Sequence, residues 1–174
     1  MSLNLQSNDF ELFGVPETFA QDVAAIDTRW KDLQREAHPD RFAAQGPAAQ
    51  RIAMQWSVRI NEAYKRLKDP LARAAYLCEL RGAPIEAESN TAMPPEFLVG
   101  QMEWREALED ARTAEDVDRL DSELHRARAD VLGRIAELLD ARSDARAAAQ
   151  QVRALMFIAR FAGDVQARAE QLGQ

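Results

Sequence analysis

Residues 19–67 read FAQDVAAIDTRWKDLQREAHPDRFAAQGPAAQRIAMQWSVRINEAYKRL, and the breaks in this stretch decide the fold. Phe19, Val23, Ile26, Trp30, Leu33 and Ala37 recur at spacings of four and three, which lays one apolar stripe along a helix. Pro39 ends that helix, because the residue before a proline is pushed out of the α region and proline has no N–H to give. After the AAQGP break at residues 43–47, Ile52, Trp56, Ile60, Ala63 and Leu67 form a second stripe. Asp69-Pro70 stops this helix, and residues 71–80 begin a third with Pro70 at its first turn. The expectation is a hairpin of two amphipathic helices with a shorter one packed across it.

Beyond it, residues 81–95 hold Gly82, Pro84, Ser89, Asn90, Thr91 and the Pro94-Pro95 pair, the composition of a linker. The predicted organisation is therefore a first unit at 1–80, a linker at 81–94 and a second unit at 95–174. That second unit is expected to hold helices near 95–111, 114–140 and 144–172. The middle one carries Val117, Leu120, Leu124, Ala127, Val131, Ile135 and Leu138 on one face. The last carries Ala148, Val152, Leu155, Ala159, Ala162, Val165, Ala169 and Leu172. Loops this short make the three helices antiparallel neighbours in a bundle, and the fold class is all-α.

Composition agrees. Hydrophobic residues make up 47% of the 174, enough to fill a helical core, and Gly and Pro number only seven each. The first ten residues have neither a basic residue nor an apolar run, and no stretch approaches the ~18 apolar residues of a membrane helix, so a cytoplasmic chain without membrane association is expected. One cysteine and two histidines cannot make a disulfide or a thiolate–imidazole zinc site, so neither metal nor cofactor is expected. Net charge is −7, yet residues 41–75 carry 7 basic residues against 2 acidic. A basic island in an acidic chain steers an acidic partner.

His38-Pro39-Asp40 sits at the turn of the hairpin, followed by Arg41-Phe42. A histidine oriented by a carboxylate is half of a catalytic site, with His38 as base and Asp40 as its partner. Nothing completes it: no nucleophile motif accompanies the pair, and His125 lies in the other unit. The plainer alternative is that Pro39 ends a helix while His38 and Asp40 bond the loop. A nucleic-acid binder, with the basic helix docking as in a helix-turn-helix, fits poorly with an acidic chain. No enzyme and no nucleic-acid partner is therefore the expectation.

Helix, HPD loop, antiparallel helix and short further helix together resemble the J domain, whose HPD loop engages ATPase chaperones of the DnaK type. Residues 9–16 (DFELFGVP), 38–42 (HPDRF), 60–77 (INEAYKRLKDPLARAAYL), 97–108 (FLVGQMEWREAL) and 152–161 (VRALMFIARF) are similar to the corresponding stretches of the HscB family, co-chaperones of iron-sulfur cluster assembly. The resemblance implies that the second unit holds the cluster scaffold IscU while the J domain docks on the DnaK-type chaperone HscA and stimulates its ATP hydrolysis. The chain is then the regulator of a partner ATPase rather than an enzyme, aiding cluster maturation and transfer. His38, Pro39, Asp40 and Arg41 would form the chaperone-contacting loop. The family's second helix is basic, and Arg51, Arg59, Lys65, Arg66 and Lys68 are read as supplying that charge here; Arg51, Arg59, Lys65 and Arg66 are expected to steer docking, several of them sharing the face opposite Ile52, Trp56, Ile60 and Leu67.

Periodicity adds the other surface. At about 100° per residue, Phe97, Trp104, Leu108 and Ala111 share the core face of the helix that begins near Pro95, whereas Leu98, Val99 and Met102 fall elsewhere, beside Glu103, Glu106 and Asp110. In the last helix, Phe157 and Phe161 lie off the stripe of Val152, Leu155, Ala159 and Ala162. Two off-core apolar groups make one patch if their faces adjoin. The family's scaffold-binding positions map here onto Leu98, Val99, Met102 and Phe157 as apolar anchors, with Glu103, Glu106 and Asp110 as an acidic rim. Val99 stands where the family often has Met.

Overall fold

A computed structural model describes residues 3–173 as an all-α protein, with no strand among them. The chain divides into two compact units, one through Tyr76 and one from Leu77.

The first unit opens with a helix absent from the periodicity reading, α1 (Asp9–Phe13). Asn8 and Glu11 close a capping box at its start, and Gly14, at φ 62°, ends it in the left-handed region that glycine tolerates. Five residues are too few for a helical repeat to show, yet Phe10, Leu12 and Phe13 are all buried. The hairpin follows. Its first arm, α2 (Val23–Ala37), starts four residues later than its stripe suggests, because the Asp22 carboxylate accepts from the Ala24 and Ala25 N–H groups and fixes the cap there. Phe19 is buried all the same, outside the helix. The second arm is α3 (Pro47–Lys68), entered through Gly46 at φ 96°. Ile26 and Leu33 of α2 and Ile60, Ala63 and Leu67 of α3 build the core between the arms. Ile52, assigned to that core by its spacing, is exposed instead.

A polar ladder closes one edge of the hairpin. Trp30 stacks on Tyr64 at 4.7 Å and donates its indole N–H to Asn61, and Gln34 bonds Ser57 and Asn61. Tyr64 and Lys68 both donate to Asp27, at 2.6 and 3.0 Å. These two bonds, that from Tyr64 foremost, hold the Asp27 carboxyl below its ordinary pKa. The next helix, α4 (Pro70–Leu80), contains the division between the units. Its Tyr76 meets α1, stacking on Phe10 and accepting from the Asp9 N–H at 3.1 Å.

In the second unit, α5 (Pro95–Asp110), α6 (Ala114–Ala136) and α7 (Ala145–Leu172) form the expected bundle. Arg168, near the end of α7, donates to the Ala111 carbonyl just before α6, so these two helices run antiparallel. A π turn (Glu137–Ala141) extends α6. Its wider ring displaces the apolar seam by one residue, so that Leu139 is buried where the regular repeat assigns Leu138. The α7 stripe needs a like correction: Ile158 is buried and Ala159 exposed. Residues 81–94 are not a loose connection, since Arg81 donates to the Leu139 carbonyl and Arg153 to those of Ile85 and Ala92. That segment therefore packs as part of the second unit. Among the described residues no helix is long and apolar enough to cross a membrane.

Candidate functional site

Pro39 forces His38 out of the helix, to φ −63° and ψ 129°, and a 3-10 helix (Pro39–Gln45) carries the chain round to α3. The His38 Nδ1 accepts from the Asp40 N–H at 3.2 Å. A nitrogen accepting there carries no proton of its own to pass to a carboxylate, and the nearest Asp40 oxygen is 3.7 Å away, beyond hydrogen-bond range. The geometry of a His–Asp catalytic pair is thus not made. What the turn does is present both side chains to solvent, 58% and 90% exposed, on a backbone that the His38 ring helps to fix. Arg41 braces it by donating to the Arg35 carbonyl at 3.2 Å.

Of the four cations assigned to one docking face of α3, Arg51 and Lys65 are exposed. Arg59 and Arg66 are committed elsewhere. Asp9, fully buried, takes Arg59 at 2.8 Å and Arg66 Nε and Nη2 at 2.7 and 2.9 Å, while Arg59 also donates to the Leu5 and Ser7 carbonyls. The bond to Asp9 raises the Arg66 pKa still further. These two arginines clamp α1 onto α3. The sequence reading missed this because a single acid in a five-residue helix has no periodic signature; the 9–16 stretch was visible only through its resemblance. Counting α1 also renumbers the helices. The arm before the HPD turn is now the second, and its cations are Arg29, Lys31 and Arg35, of which Lys31 and Arg35 are exposed.

On α5 the off-core group is where its spacing puts it. Leu98, Val99 and Met102 are 46%, 60% and 66% exposed, and Glu103, Glu106 and Asp110 are exposed beside them. Phe157 is the exception: it is only 7% exposed, and Phe161 is buried too. Phe157 lies beneath α5, meeting Phe97 edge-on at 5.8 Å and stacking with Trp104 and Phe161, with the Arg105 guanidinium 5.4 Å over its ring. It belongs to the aromatic layer that seats α5 on α7. Helix α7 packs against two neighbours, so it buries two faces, and a single stripe cannot describe it. No group of three or more His, Cys, Asp or Glu residues suited to a metal occurs among the described residues.

A helical hairpin displaying an exposed HPD turn, preceded by a short helix and joined to a helical bundle, defines the J-domain class of co-chaperone. Residues 93–166 match the family model described as the HSCB C-terminal oligomerisation domain. The chain is 52% identical over 173 residues to the co-chaperone protein HscB homolog of Burkholderia multivorans, covering 98% of each, and 51% identical to that of Burkholderia vietnamiensis over the same share. The structure of the chaperone HscB from Vibrio cholerae is similar at a TM-score of 0.80 and 36% identity, over 95% of this chain and 99% of that one. Human co-chaperone protein HscB, at 23% identity, shares the fold at a TM-score of 0.86, over 97% of this chain and 85% of that one. The chain belongs to the HscB co-chaperone family.

Proposed function

We propose that this chain is a cytoplasmic tethering co-chaperone of iron-sulfur cluster assembly, which binds the scaffold IscU through its second unit and delivers it to the chaperone HscA through its first. The observation that carries this reading is the row Leu98, Val99 and Met102. Among the large apolar side chains of α5 these stand in solvent while Phe97 and Trp104 are used in packing, and exposed apolar groups rimmed by charge are typical of partner sites. The acidic rim of Glu103, Glu106 and Asp110 suits a basic edge on the scaffold.

The HPD turn is the contact to the ATPase. His38, Asp40 and Arg41 reach into solvent from a turn held by its own hydrogen bonds, so little order has to be imposed on docking. Lys31, Arg51 and Lys65 are exposed cations available to steer the encounter, whereas Arg35 is paired with Asp32 at 2.9 Å. The hydrolytic groups belong to HscA, and this chain acts by binding the hydrolysis-competent state of that chaperone more tightly than the resting one. Single-turnover ATP hydrolysis by HscA, with the chain and IscU added separately and together, tests the proposal; stimulation by both together should exceed that by either alone.

A further inference from the structure

The segment 81–92 and the corner between the π turn and α7 enclose an open cavity of about 930 Å³ that none of the surfaces above uses. Four arginines line it, Arg81, Arg142, Arg146 and Arg153, against two carboxylates, Glu86 and Asp144. This polarity is local, since residues 86–174 as a whole carry 11 basic against 18 acidic residues.

Arg153 is the telling member. It is only 7% exposed, its Nε and Nη1 donate to the Ile85 and Ala92 carbonyls, and among the described residues no carboxylate pairs with it. Its Nη2 is left without a partner among the described residues. A buried cation is costly unless a counter-charge reaches it. Cys78 lies near enough to feel its charge, but burial pushes that thiol up to about 11, so it is neutral at pH 7 and offers none. The two carboxylates do not close the account either. Asp144 is spent on capping α7, accepting from the Ala147 N–H at 3.0 Å, and Glu86 is exposed.

We propose that this cavity binds a small phosphate-bearing anion, of diphosphate size or larger. Arg146, Gln150 and Arg153 stand at spacings of four and three on one face of α7, and Arg142 and Arg81, the latter already donating to the Leu139 carbonyl, complete the lining. Arg146 offers a free guanidinium fork, which matches phosphate oxygens in pairs and favours phosphate over a single-point anion, and Arg153 adds its Nη2 as a single donor. The volume is that of a nucleotide-sized site. Arg146 makes no hydrogen bond or ion pair with the described residues, so it is free to close on the ligand. Arg142 is held by Glu137 at 2.9 Å and would have to exchange that partner.

Calorimetric titration of pyrophosphate, and separately of ADP, into the full chain at fixed ionic strength tests this. Saturable binding is expected, and Arg146→Ala should weaken it about fivefold, the loss of one charge-assisted contact at a partly screened site. Arg153→Gln risks freeing the 81–92 segment, so the exposed Arg146 is the deciding position. Arg128→Ala, on α6 and outside the cavity, should leave affinity unchanged. Tighter binding of ADP than of pyrophosphate would support a site that also holds the nucleoside; equal affinity would support recognition of phosphates alone. No saturable binding of either at millimolar concentration, or equal losses in the Arg146 and Arg128 variants, would overturn the proposal. The outcome is independent of whether the chain binds IscU or HscA.

Discussion

Phe157 and Met102 look alike in sequence, each an apolar residue off its helix's main stripe, yet one is beneath α5 and the other on its outer face. They should therefore fail differently. Phe157→Ala should cost about 3–5 kcal/mol of stability, as removal of a core aromatic does, and should weaken scaffold binding by loosening α5. Leu98→Ala and Met102→Ala should stay within about 0.5 kcal/mol of the parent in a urea melt while losing IscU affinity as a central contact would, by about 2 kcal/mol each. If Phe157→Ala melts like the parent, its side chain is not the packing element assigned here. Asp9 gives a second residue-level test. Asp9→Asn leaves Arg59 and Arg66 facing a neutral amide, and should destabilise the chain by about 3 kcal/mol in the same melts. The outer row of α5 was legible because that helix buries only a narrow strip; Phe157 was not, because α7 is buried over much of its girth, and the choice between Ile158 and Ala159 depends on which neighbour lies opposite.

At the scale of elements, α2, α3, α6 and the HPD turn announce themselves through long repeats and proline stops. The elements that did not are short or irregular: α1 has a capping box but no repeat, and the π turn shifts a seam only once its extra residue is seen. The cap at Asp22 was available in the sequence, and the buried Phe19 hid it by extending the stripe. The HPD turn yields a test of its own. His38→Gln and Asp40→Asn should abolish stimulation of HscA while leaving helical circular dichroism and melting nearly unchanged, since both side chains are exposed and their loop is held by backbone bonds as well. Unfolding of either variant would instead make the turn's role structural. The Asp27–Tyr64–Lys68 contacts make the hairpin sensitive to pH. The Asp27 pKa is lowered in the fold, so its stabilisation is complete above an unfolded value of about 3.9 and is lost as pH falls through the lower folded one. Lys68, raised by the bonds to Tyr64 and Asp27, loses its share only at alkaline pH, above about 10.4. Asp27→Asn should flatten the acid limb of a plot of urea midpoint against pH; an unchanged limb would mean that the bond to Asp27 adds nothing.

For the molecule as a whole, the resemblance of five separate stretches made the family legible, whereas the division of labour among cations was not. Periodicity counts Arg59 and Arg66 as free charge, and only the fold shows them spent on Asp9. If the remaining exposed cations steer docking as proposed, added salt should slow association with HscA, chiefly through the on-rate. The two surfaces proposed for one chain would turn capture of the second partner into a local event, raising its effective concentration without any new contact. The most direct measurement of that claim is single-turnover ATP hydrolysis by HscA with limiting IscU, comparing the parent chain with the Leu98→Ala, Val99→Ala, Met102→Ala triple variant. The parent chain and IscU together should accelerate hydrolysis well beyond the sum of their separate effects, and the triple variant should keep its own stimulation while losing the excess. Simple additivity with the parent chain, or an excess that survives in the triple variant, would contradict it.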